Sequence, residues 1–242
     1  MTDLHTHILP GLDDGARDPE TSLALLRMEA AQGVDTVVLT PHFYRHHEQI
    51  QHFLKRRDRA ARTLTDALMA LPEEERQTLP GLELGAEIAW APNLAQWPEL
   101  PQLCLGSSRC FLLELPFYPW TDQLINQLYE LPGSTGLTPV LAHIERYIKN
   151  QKPQHLEAVL SLGVPVQVSA EPLLHLTQRG PVLRLLRENR AQLVASDAHS
   201  LTTRPPNLGD ALAVIRRKLG EAKAAAIAAQ GGAILSSPPH SD

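Results

Sequence analysis

Cysteine is almost absent from this 242-residue chain, which carries only Cys104 and Cys110. A domain of this length does not depend on one disulfide, and with no secretory signature the pair reads as reduced thiols. No apolar run approaches the roughly 18 residues that cross a bilayer, so membrane insertion is not expected. The opening Met1-Thr2-Asp3-Leu4-His5 has neither a basic start nor an apolar signal core, and a cytoplasmic location is the expectation. Positive charge is also in short supply: 22 Lys and Arg against 27 Asp and Glu give a net charge of -5. That balance argues against a surface built for nucleic-acid backbones. The one basic stretch, Lys55-Arg56-Arg57-Asp58-Arg59, reads as a solvated helix face. There is no glycine-rich nucleotide fingerprint, internal repeat or low-complexity linker. Residues 1–242 are therefore expected to form one domain, with a frayed tail over Gly231–Asp242.

Short apolar runs alternate with longer amphipathic stretches. Asp35–Thr40, Leu82–Ile88, Cys110–Leu115, Pro139–Ala142, Val164–Val168 and Gln192–Ser196 are too short for helices and rich in Val, Leu or Ile, as buried strands are. Helices are expected over Pro19–Gln32, His46–Leu71, Asp122–Leu131, Gln154–Leu162, Pro181–Asn189 and Asn207–Leu219. Continuously apolar strands between helices indicate a parallel sheet covered by helices. About seven such units favour a closed or distorted α/β barrel, in which functional residues gather at the C-terminal strand ends.

Histidine is what the chain has in excess, with eleven copies. His5 and His7 stand two apart on the first strand and so face one way. His42, Glu87, His143, Asp197 and His199 stand at the ends of later strands, and Glu114 interrupts the apolar run Phe111-Leu112-Leu113-Glu114-Leu115. A lone buried histidine is more often a hydrogen-bonded core residue, a lone acid an arginine partner or a helix cap. Together they would bury many polar groups at high cost, and metal coordination resolves that cost for all of them at once. Six or more ligands exceed one tetrahedral zinc, and mixed imidazole and carboxylate donors suit two or three Mn, Fe or Zn ions. Such ions, roughly 3.5–4 Å apart, share a hydroxide nucleophile and clamp a phosphoryl oxygen.

The motifs Asp3-Leu4-His5-Thr6-His7, Gly11-Leu12-Asp13-Asp14-Gly15, Thr40-Pro41-His42, Gly85-Ala86-Glu87, Leu113-Glu114, Ala142-His143-Ile144-Glu145-Arg146-Tyr147 and Ser196-Asp197-Ala198-His199 resemble the polymerase-and-histidinol-phosphatase (PHP) superfamily. Within it the chain is similar to the bacterial manganese-dependent tyrosine phosphatases of capsule and exopolysaccharide operons, the CpsB/YwqE type. The likeness runs in order from residue 3 to about residue 206. It implies a distorted (β/α)7 TIM-like barrel, the PHP fold, with three divalent ions, Mn above Fe or Zn, at its mouth. His5, His7, Glu87 and Asp197 would hold the first ion. Glu87, Glu114 and His143 would hold the second, and Asp14, His42 and His199 the third. Asp13 is read as a turn residue rather than a ligand. Arg146 and Arg204 match positions that grip the substrate phosphate, a task suited to the guanidinium fork. The implied reaction is attack by a metal-bridging hydroxide on a phosphotyrosine protein, the tail of a bacterial tyrosine kinase of polysaccharide synthesis. The leaving phenolate would take its proton from bound water or a nearby acid.

Rival readings fare worse. A cysteine phosphatase needs an arginine six positions after its nucleophile, but Cys104 is followed there by Cys110 and Cys110 by Pro116. A histidinol-phosphate phosphatase would share nearly the same ligands, and a metal-dependent exonuclease would cleave diesters instead. A non-catalytic phosphotyrosine-binding regulator would not need the full ligand set and both arginines. Phe117, Tyr118 and Trp120 either stack on a substrate ring near the mouth or plug the barrel. The oligomeric state is not legible in the sequence.

Overall fold

The protein was analysed as a computed structural model that describes residues 1–236. Among the described residues nine short strands build seven strand units. They are β1 (Thr2–Thr6), β2 (Thr36–Leu39) continued by β3 (His42–Phe43), β4 (Gly81–Leu84) continued by β5 (Glu87–Ala89), β6 (Cys110–Glu114), β7 (Thr138–Leu141), β8 (Gln167–Ser169) and β9 (Leu193–Ala195). β1 pairs with β2 and β2 with β4; β3 pairs with β5, β5 with β6, β6 with β7, and β8 with β9, all parallel. Parallel bridges at Leu141–Val166 and Thr6–Ala198 join the remaining neighbours and close the ring. The expected distorted (β/α)7 barrel is the fold found.

Six of the nine α-helices among the described residues lie on the expected stretches: α1 (Pro19–Ala31), α2 (Ile50–Met69), α4 (Asp122–Thr135), α5 (Pro153–Leu160), α7 (Arg179–Arg187) and α8 (Leu208–Leu219), while the one-turn helices α3 (Glu73–Arg76) and α6 (Glu171–Leu174) were not expected. Local chemistry sets their ends. Asp18 caps α1 by accepting from the Thr21 N–H at 2.8 Å, with Pro19 in the first turn. Thr121 caps α4, which ends at Gly136 in a left-handed conformation. α4 runs past the expected stop at Leu131 and accommodates Pro132 in its last turn. Between β5 and β6 two short 3-10 turns replace the crossover helix, one source of the barrel's distortion. Among the described residues no helix is long and apolar enough to cross a membrane.

The buried side chains form two layers. Leu4, Val38, Cys110, Leu112, Val140 and Leu193 pack together inside the ring with Leu105 and Ile234. Their strand neighbours Val37, Leu39, Phe111, Leu113, Leu141 and Val194 join the larger core with the helices. Glu114 is two residues beyond Leu112 on β6, so the face that fills the barrel lower down presents a carboxylate at its mouth.

The expected frayed tail is corrected over its first part. Glu221–Leu235 forms a ninth helix, α9, which packs on β1 and β9 and places Ile234 in the inner cluster. The adjacent Gly231 and Gly232 read as helix breakers, but Gly231 lets the helix approach Thr2. A Cβ on Gly231 would lie 2.8 Å from the Thr2 carbonyl oxygen, whereas one on Gly232 would meet only Thr2 Oγ1 at 3.8 Å. The rest of the tail, residues 237–242, lies outside the described residues. Gly231→Val is expected to destabilise the protein by about 1–3 kcal/mol in chemical denaturation. Gly232→Ala is expected to be neutral or to stabilise by up to about 1 kcal/mol. Equal effects would contradict the close packing of α9 on β1.

Candidate metal centre

All nine residues expected as ligands converge at the C-terminal mouth of the barrel. Glu87 is at the middle, with less than 2% of its surface exposed. Its Oε2 lies 3.2 Å from His5 Nε2, 3.3 Å from His7 Nε2 and 2.8 Å from His42 Nδ1, and its Oε1 lies 2.8 Å from His143 Nε2. Glu114 Oε1 faces the same His143 nitrogen at 3.6 Å. Asp14 Oδ1 stands 3.4 Å from both His42 Nε2 and His199 Nε2. Asp197 Oδ1 stands 3.3 Å from His5 and 3.4 Å from His7.

Among the described residues three groups have donor atoms close enough to share an ion: His5-His7-Glu87, His42-Glu87-Glu114 and His7-Asp14-His42-His199. These overlap the three expected sets without matching them: His42 stands with Glu87 and Glu114 where His143 was expected, Asp197 is not in the first group, and His7 joins the third. His7 stacks on His199, with ring centroids 3.8 Å apart, and so leans toward the third group as well as the first.

The donor chemistry suits cations. His5 Nε2 and His7 Nε2 face each other at 3.1 Å, a hydrogen bond only when one carries the proton and the other the lone pair, whereas a cation between them takes both lone pairs. Glu87 Oε2 and His199 Nε2 are buried with no hydrogen-bond partner. Most of the imidazoles have one nitrogen held by the protein and the other turned into the cluster, which is how metal-binding histidines are oriented. His7 Nδ1 is held by Asp13 Oδ2 at 2.7 Å and His199 Nδ1 by the Asp197 carbonyl oxygen at 2.8 Å. His143 Nδ1 lies 3.3 Å from the Tyr147 hydroxyl, and His5 Nδ1 lies 3.4 Å from Gln167 Oε1.

Burial opposes charge on Glu87, His7 and His199, and their neighbours answer it differently. Burial pushes the Glu87 carboxyl up, but the charge on His5, the hydrogen bond with His143 and the close approach of His42 hold it well below the usual carboxylate range. Burial pushes His7 down, yet Asp13, Asp197 and Glu87 raise it well above the ordinary imidazole value. His199 is left at about 4, lowered by burial and by the charge on His7. Without cations this is a set of desolvated ion pairs, whose mutual attraction rarely exceeds the cost of burying them.

Two ligand candidates sit on strained backbone. His143 has φ +31° and Asp197 φ +56°, left-handed values that cost a non-glycine residue about 1–3 kcal/mol. His143 follows inward-facing Ala142, so its left-handed turn breaks the alternation and brings into the mouth a side chain that would otherwise face outward, whereas Asp197 keeps the inward side on which Leu193 starts. Gly15 contributes closeness instead. A Cβ there would stand 1.9 Å from the His7 carbonyl oxygen, so only glycine lets the Asp13-Asp14 loop fold against β1.

Several supporting residues escaped the sequence reading. Asp13 does make the expected turn, accepting from the Gly15 N–H, but its other oxygen orients His7 and accepts from the His42 N–H. Its only sequence signal was adjacency to Asp14. Gln167 Oε1 accepts from the His143 N–H at 2.8 Å and so ties two ligands together. Behind His5, buried Asp3 accepts from the N–H groups of His5 and Ser196, and burial raises its carboxyl to about 6. Nothing in a single sequence separates such residues from ordinary core polar groups.

Arg146 and Arg204 both reach the mouth, and each donates to Asp197 Oδ2. Trp120 is the plug of its loop, buried against Tyr147 with its indole N–H on the Pro116 carbonyl. Phe117 and Tyr118 stay about half exposed. Cys104 and Cys110 are buried away from the mouth, and burial beside Cys110 pushes the Cys104 thiol up to about 12, so it offers no thiolate nucleophile.

The chain is similar to known proteins over nearly its whole length. The family model for CpsB/CapC, capsular polysaccharide synthesis, matches residues 1–235. The tyrosine-protein phosphatase YwqE of Bacillus subtilis is 31% identical over 227 residues, covering 91% of this chain and 85% of the relative. The tyrosine-protein phosphatase CpsB of Streptococcus pneumoniae is 30% identical over 240 residues, 93% of each chain. A crystal structure from work on YwqE and CpsB, termed unique metal-dependent tyrosine phosphatases, superposes with a TM-score of 0.83 at 26% identity, covering 99% of this chain and 96% of the other. An organophosphorus hydrolase mutant shares only the fold, with a TM-score of 0.51 at 14% identity.

If Asp13 sets the orientation of His7, Asp13→Ala should weaken divalent-ion binding about 10- to 100-fold while leaving the folded far-UV spectrum intact. Titration calorimetry with manganese reads this directly, and unchanged affinity would reduce Asp13 to a turn residue.

Proposed function

Because the chain belongs to the CpsB/CapC family of capsular polysaccharide synthesis, we propose that it is a metal-dependent protein tyrosine phosphatase acting on phosphotyrosine in a protein partner. The observation that carries this reading is the cluster of imidazoles and carboxylates around buried Glu87, complete at one barrel mouth and flanked by two arginines.

Three ions are proposed, with His5, His7, Glu87 and Asp197 around the first, Glu87, Glu114 and His143 around the second, and Asp14, His42 and His199 around the third. Manganese is the proposed metal; iron or zinc would suit the same mixed donors. When bound, such ions activate water as a nucleophile at neutral pH and neutralise charge on the transferring phosphoryl group. The chain's own residues prepare that chemistry. Asp13 holds the His7 proton at Nδ1 and leaves the Nε2 lone pair facing the centre. Tyr147 and the Asp197 carbonyl do the same for His143 and His199. Arg146 and Arg204 each have five N–H donors, so their bonds to Asp197 leave others for phosphate oxygens. Their side chains remain about one-third exposed, which keeps those donors within reach of an incoming phosphate.

The proposed partner is the phosphotyrosine tail of a bacterial tyrosine kinase of polysaccharide synthesis, which places the protein in the cytoplasm. The test is hydrolysis of p-nitrophenyl phosphate with and without manganese, followed by a panel of phosphotyrosyl peptide, phosphoseryl peptide, histidinol phosphate and a dinucleotide diester. The phosphotyrosyl peptide should be preferred, and His5→Ala should abolish metal-dependent turnover. Arg146→Ala and Arg204→Ala should each lower kcat/KM by about 10²–10³. No metal-dependent turnover of any of these compounds would sink the proposal.

A further inference from the structure

Beside the ion cluster a cavity of about 580 Å³ opens at the Asp14 and His42 side of the mouth, with Tyr44, His47 and Arg56 along its walls. This volume falls in the range of small-molecule sites, roughly 300–1,000 Å³. Phosphate-bearing chemistry at the ions accounts for Asp14 and His42 but leaves the rest of the cavity without a role.

Its inner wall is aromatic. The Tyr44 ring lies 5.4 Å from the His42 ring and 5.3 Å from the His47 ring, centroid to centroid, so an aromatic face continues outward from a candidate ligand. Burial first, then the charges of Glu114, Glu87, Asp14 and Asp13, push the Tyr44 hydroxyl up. Standing beside His42 on the cavity wall, the ring is the edge over which a group attached to a centrally held phosphate would leave the cluster.

The wall is also preformed. The Tyr44 carbonyl accepts from the N–H groups of His47 at 2.9 Å and Glu48 at 3.3 Å, a tight turn that sets both rings. Glu48 is bound by His52 at 2.7 Å and by Arg56 at 2.6 Å, and Arg56 also donates to the Leu12 carbonyl at 2.8 Å. The cavity's outer rim is thus tied to the loop that presents Asp13 and Asp14.

Phe117 is the competing aromatic. It lies on the His143 side of the mouth, nearly parallel to His143 at 6.4 Å and packed on Tyr147 at 5.2 Å, and the 580 Å³ cavity does not reach it. Resting on the phosphatase reading above, the geometry points to the Tyr44 ring, backed by His47, as the subsite for the aryl group of the phosphotyrosine substrate. Tyr44 thereby determines preference for aryl over alkyl phosphoesters: a phenyl ring offers a face to stack, whereas a serine-borne phosphate has no group to fill the cavity.

The test uses binding rather than turnover. The manganese-loaded protein is titrated calorimetrically with phenylphosphonate and methylphosphonate, and the ratio of their Kd values is compared among wild type, Tyr44→Leu, Tyr44→Phe and Phe117→Leu. Tyr44→Leu should erase about tenfold of the wild-type preference for the phenyl compound, as loss of a stacked ring pair would. Tyr44→Phe, which keeps the ring, and Phe117→Leu should each hold the ratio within about twofold. An equal loss for both compounds in Tyr44→Leu, a collapsed ratio in Tyr44→Phe, or loss of phenyl preference in Phe117→Leu would overturn the assignment. Failure of wild type to bind either phosphonate would instead bring down the phosphatase reading beneath it.

Discussion

A carboxylate with almost no exposed surface, surrounded by imidazoles, is the constraint around which this molecule is arranged. Glu87 contacts His5, His7, His42 and His143, residues contributed by three different strand ends. A buried carboxylate is tolerable only when paired and hydrogen-bonded, so those strands must meet at one height and register. The break between β4 and β5 at Gly85-Ala86, and the matching break between β2 and β3 at Thr40-Pro41, bring Glu87 and His42 into register with each other. The distortion of the barrel is the form in which this meeting is achieved.

The supporting structure is costly for stability and makes sense for function. Left-handed backbone at His143 and Asp197, unpartnered buried oxygens and nitrogens, and imidazoles packed 3.8 to 5.7 Å apart all work against folding. The opposite end of the barrel compensates. There α9 seals the interior with Ile234, and an apolar layer of Leu4, Val38, Leu112, Val140 and Leu193 separates that seal from the polar mouth. The division is that of barrel enzymes in general, with stability at the N-terminal face and chemistry at the C-terminal face.

How much was legible follows from where the information resides. Strand ends and their polar residues could be read because an imidazole or carboxylate closing an apolar run is locally anomalous; eight of the candidate ligands were found this way, Asp14 in its loop came only from the family resemblance, and all nine meet at one mouth. The β/α alternation gave the barrel for the same reason. What escaped was encoded in tertiary proximity. Gly231-Gly232 looks like a helix stop until Thr2 is seen lying against Gly231. Gln167 and Asp3 look like incidental polar residues until their hydrogen bonds to His143 and His5 are visible. Asp13 read as a turn and is one, and its bond to His7 spans a close approach that Gly15 alone allows. The two arginines were read as phosphate contacts, while their shared grip on Asp197 could be seen only in three dimensions.

The central claim is that the cluster around Glu87 exists to hold cations. Its most direct test is the metal content of the purified protein, measured by mass spectrometry together with thermal unfolding before and after chelation. The account predicts up to three divalent ions per chain, a fall in Tm on chelation, and restoration by manganese, because ions that bind only the folded state stabilise it. A folded protein that binds no divalent ion, and whose Tm is indifferent to both chelator and manganese, would contradict it.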